Sequence, residues 1–313
     1  MTETPIPDLA VVIVSWNVRD LLATCLRSLF SDLERAAPQA QVWVVDNASA
    51  DGTPEMVAEA FPAVHLIASA ENLGFARANN LALRAILGDS QFAIRPSSFV
   101  WLLNPDTEVQ TGATAALVAA LEANPQAGVA GAKLLYPGGS LQHSAFHFPG
   151  LGQLLFDLFP LPARLYETPL NGRYPRHLYE GTEPFPVGHP LGAALMARAE
   201  AIAAVGLMDE DFWMYCEEID WCWRMRRAGW QSLCVPAAQV IHHAGQSSGQ
   251  VRIPSFVNLW SSRAKLYARY HGPVTRRLAR ALVRAGMRRR MRGASPEMSA
   301  ACQQVLETWE SVK

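Results

Sequence analysis

Two glutamates stand side by side in "WMYCEEIDWCWRMRRAGW", residues 213 to 230. Wound as a helix, this run puts Glu217, Asp220 and Arg224 on one stripe, and Asp220 and Arg224 form an i, i+4 ion pair that steadies the helix. Glu218 falls instead among Trp221, Cys222 and Met225. A carboxyl drawn into apolar company has a raised pKa and suits a general base. The plainer role for adjacent acids at a helix start is to complement the helix dipole.

A second acid ends an apolar run. "VWLLNPDTEV", 100 to 109, passes from four apolar residues to Asn104, Pro105 and Asp106. These are turn residues, but a carboxylate at a strand end also suits a hard divalent cation that bridges two phosphates and fills its other positions with phosphate and water. His242, closing "VIHH", offers an imidazole, and a mixed Asp and His set suits Mn2+. A histidine at a strand end serves structural roles as well.

Asp46, with Asn47 beside it, could accept the imino N–H of uracil or thymine, and guanine too offers ring N–H donors. Its alternative is an Asx turn before "ASADGT". "ENLGFARANN", 71 to 80, brings Asn72 and Gly74 to the entry of a helix and Arg77 to its first turn, a pattern fit to cradle a diphosphate.

The elements that must position these groups follow from periodicity. Short apolar runs at 9 to 16, 41 to 47, 63 to 69 and 98 to 104 alternate with helical segments such as "RDLLATCLRSLFSDLERA", in which Leu22, Cys25, Leu26 and Leu29 share a face. This alternation predicts a parallel sheet covered on both sides. Thr53 is expected as a helix N-cap with Pro54 at the first helical position. Ligands gather beyond the C-terminal strand ends of such sheets, and three strands end there in polar residues: Ser15 with Asn17, Asp46 with Asn47, and Asn104 with Asp106. From 131 to 190 the pattern dissolves into Pro, Gly, Tyr, Phe and Leu, and such a long irregular stretch is commonly functional. Helical spacing returns near Glu217, followed by the short apolar runs "QSLCV" and "AQVIHH".

The chain has 313 residues, half of them hydrophobic, and a net charge of -1. It can bury a full core. No Asp or Glu occurs between Asp220 and Glu297, so the C-terminal third is cationic. Five scattered cysteines without a C-x-x-C pair speak against a disulfide framework or a thiolate zinc site. The polar start "MTETPIPDLA" and the lack of ~20 consecutive apolar residues argue against a signal peptide and a membrane span, and the expected location is cytoplasmic. "GQSSG", 245 to 249, matches the nucleophile elbow of hydrolases, but no Asp follows Ser247, and the first later Glu, Glu297, comes after the only later His, His271, so the order fails. Neither G-x-G-x-x-G after the first strand nor a P-loop is present. Nothing points to a nucleic-acid partner.

Taken in order, "VVIVSWNVRDLLATCLRSL", "VWVVDNASADGT", "ENLGFARANN", "LLNPDTEV", "KLLYPGGSLQ", "LGAALMARAEAIAAVGLMDEDFWMYCEEIDWCWRMRRAGW" and "VIHHAGQSS" resemble glycosyltransferase family 2, most closely its bacterial rhamnosyltransferase-like branch. The resemblance implies an α/β chain of GT-A fold, with a mainly parallel central sheet, helices on both faces and added C-terminal helices. It implies a UDP- or dTDP-sugar donor, Mn2+ or Mg2+, inversion at the anomeric carbon, and a glycan or lipid-linked acceptor in cell-surface polysaccharide synthesis. By position, Ser15, Trp16 and Asn17 would lie against the nucleoside, Asp46 and Asn47 at the base, Asn72, Gly74 and Arg77 near the diphosphate, and Asp106 with His242 at the metal. Glu217 and Glu218 would stand at the acid pair that supplies the base. Asn104 replaces the first Asp of the family's D-x-D pattern, and Glu218 stands where the family usually has Asp; which of the two glutamates is the base stays open.

The expected division is a catalytic domain over 1–250, with a nucleotide-sugar half to 135 and an acceptor and catalytic-base half after it, then a basic helical extension over 251–313. Within that extension Val274, Leu278 and Leu282 follow i, i+4, i+8, with Arg276, Arg277, Arg280, Arg284 and Arg288 on other faces. Such a helix could lie on an anionic membrane or pack on the catalytic domain. A nucleotidyltransferase is the rival enzyme, although "SWNVRD" lacks its usual glycine-rich loop. A non-catalytic sugar-nucleotide or glycan binder is the rival from another class.

Overall fold

The computed structural model describes residues 9–37, 39–88, 98–246 and 248–312; the N-terminal residues 1–8 and Ser247, at the centre of the G-x-S-x-G match, lie outside them. The first part comprises β1 (Leu9–Ser15), α1 (Arg19–Ala36), β2 (Gln41–Asp46), α2 (Thr53–Ala60), β3 (Val64–Ala68), α3 (Gly74–Gly88) and β4 (Phe99–Leu103). Then come β5 (Thr107–Val109), α4 (Ala113–Ala123), β6 (Ala127–Leu135), β7 (Leu141–Gln142), β8 (Ala145–Phe146) and α5 (Leu151–Leu158). After short 3-10 turns follow β9 (Phe185–Val187), β10 (His189–Pro190), β11 (Ala194–Arg198), α6 (Ala199–Val205), α7 (Glu217–Arg227) and β12 (Gln231–His242). Helices α8 (Arg252–Tyr270), α9 (Pro273–Met291) and α10 (Pro296–Ser311) close the described chain.

The main sheet runs β3-β2-β1-β4-β11-β6-β12-β5. Strands β3, β2, β1, β4, β6 and β12 share one direction, while β11 and β5 oppose it. Alternation along the strands splits their side chains between two cores. Leu9, Val11 and Ile13 of β1 pack with Leu22, Cys25, Leu26 and Leu29 of α1 on one face. Ala10 and Val12 pack with Leu83 and Ile86 of α3 and with Trp221 and Met225 of α7 on the other. Both faces are thus covered, which is why these strands read as unbroken apolar runs. Chain order steps from β1 outward to β2 and β3 and then crosses to β4, so the sheet has its switch point between β1 and β4, where a crevice opens.

Three expectations change in detail. Thr53 is the first helical residue of α2 rather than its cap: Gly52 precedes it in the left-handed region at φ 79°, and Asp51 Oδ1 accepts from Thr53 N at 3.1 Å and Thr53 Oγ1 at 2.5 Å. "QSLCV" and "AQVIHH" are one strand, β12, with a register shift between Val235 and Gln239. In α9 the buried stripe is Ala279, Val283, Gly286 and Met287, whereas Val274 is 69% and Leu278 50% exposed. Val274 and Leu278 therefore belong to the outer face.

Helices α8 to α10 share a core with α5: Trp260, Tyr267, Val283, Met287, Val305 and Trp309 pack with Leu154 and Leu158. Gly286 permits that approach, since a Cβ there would meet Leu158 Cδ2 at 2.5 Å. The same helices are tied to α7. Asp220, fully buried, accepts from Arg224 Nε at 2.8 Å, Arg269 Nη1 at 2.7 Å and Tyr270 Oη at 2.7 Å. Removing the acid takes from Arg224 its only carboxylate among the described residues and leaves Arg269 with Asp209 Oδ2 at 2.6 Å, so Asp220→Ala is expected to cost about 3 kcal/mol of stability. Urea unfolding measures this; a loss below ~1 kcal/mol, the range of surface pairs, would contradict a network that holds α7 to α8.

Candidate functional site

A cavity of about 450 Å3 opens beyond the C-terminal ends of β1 and β4. Its lining brings together Trp16, Asn47, Asn72 and Gly74, then Asn104, Asp106 and His242 at strand ends (the floor), and Glu217 with Glu218 at the start of α7. Ser15, Asn17, Asp46 and Arg77 lie outside its walls.

The nucleoside-side residues divide into builders and open groups. Asn17 takes a left-handed φ of 53°, its Oδ1 accepts from Ala50 N at 2.7 Å, and its N–H donates to Ser49 Oγ at 2.9 Å. Asn47 staples the next loop, accepting from Leu73 N at 2.8 Å and donating to Asn72 Oδ1 at 2.9 Å and Gly74 O at 3.1 Å. Asp46 uses Oδ2 for Ser49 N at 2.9 Å, as a turn would, yet its buried Oδ1 has no partner. Ser15 Oγ, at the paired position on β1, is buried and unpartnered too. Buried polar atoms left open in this way are uncommon.

Gly74 opens α3 at φ 76°, and a Cβ there would lie 2.1 Å from Trp213 O. Phe75 N already donates to that oxygen at 2.8 Å. Arg77 is exposed, and its charge acts on Glu210. The expected diphosphate cradle thus keeps Asn72 and Gly74 on the cavity wall but not Arg77.

At the floor, antiparallel pairing of β12 with β5 sets His242 opposite Thr107, next to Asp106. His243 N donates to Asp106 O at 2.9 Å and holds the turn. His242 Nδ1 lies 3.1 Å from Gln142 Oε1, and Nε2 faces Asp106 Oδ1 at 3.3 Å without completing a hydrogen bond. With a cation bound, the ring would keep its proton on Nδ1 toward the amide oxygen and offer Nε2 as a second donor beside the carboxylate; without one, a proton on Nε2 would face Asp106. Burial pushes the Asp106 carboxyl up, but the His242 ring and the Gln246 N–H outweigh it and hold its pKa below the ordinary value. No group of three or more His, Cys, Asp or Glu side chains able to hold a metal occurs among the described residues. A metal on Asp106 and His242 would draw its remaining ligands from phosphate and water, the usual habit of hard cations at diphosphates.

Glu217 and Glu218 begin α7 directly after Tyr215 and Cys216, both at φ 69°. Two successive left-handed residues without glycine are strained, a condition that collects at functional sites. Each glutamate has a buried Oε2 without a partner. Burial, partly offset by backbone N–H groups at Glu218 and Ile219, pushes Glu218 up to about 7. Burial and then the Glu218 charge push Glu217 well above its ordinary value. The two carboxyls titrate as a pair, and burial raises both above the ordinary range.

Sequence reasoning missed several wall residues. Trp213, Met214 and Tyr215 stand in the run that carries the acids, and its aromatic start was the available signal. Gln246 comes from the dismissed "GQSSG". Val251, Pro254, Ser255 and Asn258 belong to the C-terminal extension, where no spacing marks them as site residues.

With this geometry in place, likenesses to known proteins become informative. The model of "Glycosyl transferase family 2" matches residues 10–202. An N-acetylglucosaminyl-diphospho-decaprenol L-rhamnosyltransferase of Mycobacterium tuberculosis is 34% identical over 246 residues, 77% of this chain and 78% of that protein. Among solved structures, GalNAc-T7 with UDP, GalNAc and Mn2+ superposes with a TM-score of 0.54 at 16% identity, over 76% of this chain and 43% of that one. A mannosyltransferase from Pyrobaculum calidifontis with GDP-Man and Mn2+ gives 0.51 at 16% identity, over 99% and 74%. These structural likenesses speak for the fold, which is GT-A. The family match and the rhamnosyltransferase likeness go further: this chain belongs to glycosyltransferase family 2.

Proposed function

We propose that this glycosyltransferase is metal-dependent and inverting, and that it moves rhamnose from a dTDP- or UDP-sugar to a hydroxyl of a lipid-linked glycosyl acceptor in cell-surface polysaccharide synthesis. The observation that carries the reading is that one cavity is lined by both the Asp106 and His242 pair and the Glu217 and Glu218 pair. The likeness to the mycobacterial rhamnosyltransferase supports the sugar and the acceptor class.

In this reading Asp46 Oδ1 accepts the imino N–H of the base, and Asn72 and Gly74 border the diphosphate. Mn2+ or Mg2+, held by Asp106 and His242, neutralises negative charge on the diphosphate. Glu218 takes the proton of the acceptor hydroxyl; the oxygen attacks the anomeric carbon, the bond to the diphosphate oxygen breaks, and the nucleoside diphosphate leaves with inversion. Glu217, beside it in the same lining, shares the titration of the pair.

No helix among the described residues is long and apolar enough to cross a membrane. We place the enzyme at the cytoplasmic membrane surface through α9, whose outer face carries Val274 and Leu278 among the exposed Arg277, Arg284 and Arg288.

Three measurements check this. Nucleotide binding comes first: dTDP or UDP with Mn2+ is expected to raise the melting temperature of the wild type and to leave Asp106→Ala unmoved; equal stabilisation of both would remove Asp106 from the metal. For the base, Glu218→Gln is expected to keep that stabilisation and lose transfer by ~10²–10⁴-fold, while wild-type turnover falls about tenfold per pH unit below about 7. The linkage has a definite sign: a carboxyl whose folded pKa exceeds its ordinary 4.5 costs stability as pH rises past that value. Glu218→Gln should therefore melt above wild type at pH 8 and not at pH 4; equal melting at both would deny the buried charge. At the surface, binding to vesicles containing phosphatidylglycerol should weaken with salt and drop at least tenfold in Val274→Asp with Leu278→Asp. Binding unchanged by the double substitution would place the contact elsewhere.

A further inference from the structure

A second cavity, of about 350 Å3, adjoins the first, sharing Leu191, Tyr215 and Glu218 with it. Glu217 lines only the first, so Glu218 is the acid that meets both. The volume falls in the range of ligand pockets, ~300–1,000 Å3. One wall is α5 with the segment after it, and the facing wall is α8, through Leu259, Arg263 and Tyr267. Helix α8 lies downstream of residues 10–202, so this wall is no part of the segment that carries the family likeness.

The lining identifies the ligand class. Phe146, Phe156 and Tyr166 supply aromatic faces, against which the C–H face of a pyranose can pack. Gln153 and Asn171 supply planar amides that both donate and accept. Two arginines also reach the cavity, but their charge is already met: Arg263 Nη1 lies 2.8 Å from Asp157 Oδ2, and Arg173 Nη1 lies 2.6 Å from Glu167 Oε1. An anionic group would have to displace those carboxylates, whereas a neutral sugar finds aromatic side chains and two amides. Gln153 Nε2 donates to His147 O at 3.3 Å and Asn171 Nδ2 to Tyr166 O at 3.0 Å, yet each amide keeps a carbonyl oxygen and a second N–H.

We infer that this cavity binds the terminal, uncharged glycosyl unit of the acceptor, and that α8 of the C-terminal extension is the element that reads it. This rests on the transferase reading above. The acceptor's phosphate groups then lie outside the cavity. A hydroxyl of the bound unit meets Glu218 where the cavities join, which is how one carboxylate serves a donor in one chamber and an acceptor in the other.

The test uses the full chain with methyl N-acetylglucosaminide as probe, read by saturation-transfer NMR, with melting in dTDP and Mn2+ as companion. Wild type should saturate the glycoside, and inorganic diphosphate should not compete. Leu259→Trp, which fills the cavity, should reduce the signal at least fivefold while nucleotide stabilisation persists; Arg263→Met should weaken it with the same companion result. Asp106→Ala should do the reverse, losing nucleotide and keeping glycoside. No wild-type saturation, competition by diphosphate, or a signal that survives both Leu259→Trp and Arg263→Met would overturn the assignment. Loss of nucleotide stabilisation in the wild type would instead strike the transferase reading.

Discussion

The buried carboxylate of Asp220 is the interaction on which the site depends. It gathers Arg224 from its own helix with Arg269 and Tyr270 from α8, and so fixes α7 against the C-terminal bundle. Helix α7 starts with the acid pair, so whatever sets its axis sets Glu217 and Glu218 relative to the strand ends. A second tie runs from Ser262 Oγ to Met214 O at 2.8 Å, just ahead of the strained Tyr215 and Cys216. The extension is in this sense part of the catalytic domain: α8 anchors the acids and lines both cavities.

Holding two carboxyls in a buried wall works against stability, and the surroundings show how it is sustained. The helix N-terminus favours negative charge at the first turn, and the backbone N–H groups at Glu218 and Ile219 temper the effect of burial. The remaining excess raises the pKa of Glu218 to a value useful at neutral pH. At the floor the balance is reversed. Asp106 is buried as well, but His242 beside it favours the ionised form. One cavity therefore holds one acid whose pKa is lowered and another whose pKa is raised.

Much of this was legible in the sequence because β1, β2 and β4 are buried almost throughout, with β3 half-buried at the sheet edge. The β-branched and aromatic runs of β1, β2, β3 and β4 announce themselves, and the polar residues at their ends mark the crevice. Strands β6, "AGVAGAKLL", and β11, "ALMAR", were not anticipated. Their small residues reflect crowding rather than propensity: a Cβ on Gly131 would meet Pro190 Cβ at 2.2 Å. The antiparallel placement of β11 between β4 and β6 is a long-range pairing that local pattern does not encode. Arg77 follows the loop expected of a phosphate clamp, yet the helix turns it to solvent. The role of α8 was hidden because its contributions, such as Asn258 and Leu259, gain meaning only once Asp220 has docked the helix.

The proposed mechanism requires a metal-bound nucleotide diphosphate on Asp106 and His242, in the cavity that Glu218 also lines. A crystal structure with dTDP and Mn2+, read through the anomalous signal of manganese, tests it most directly. The account predicts a manganese peak bridging Asp106, His242 Nε2 and the diphosphate, with the base at Asp46. Ordered nucleotide whose manganese lies away from both side chains would contradict it.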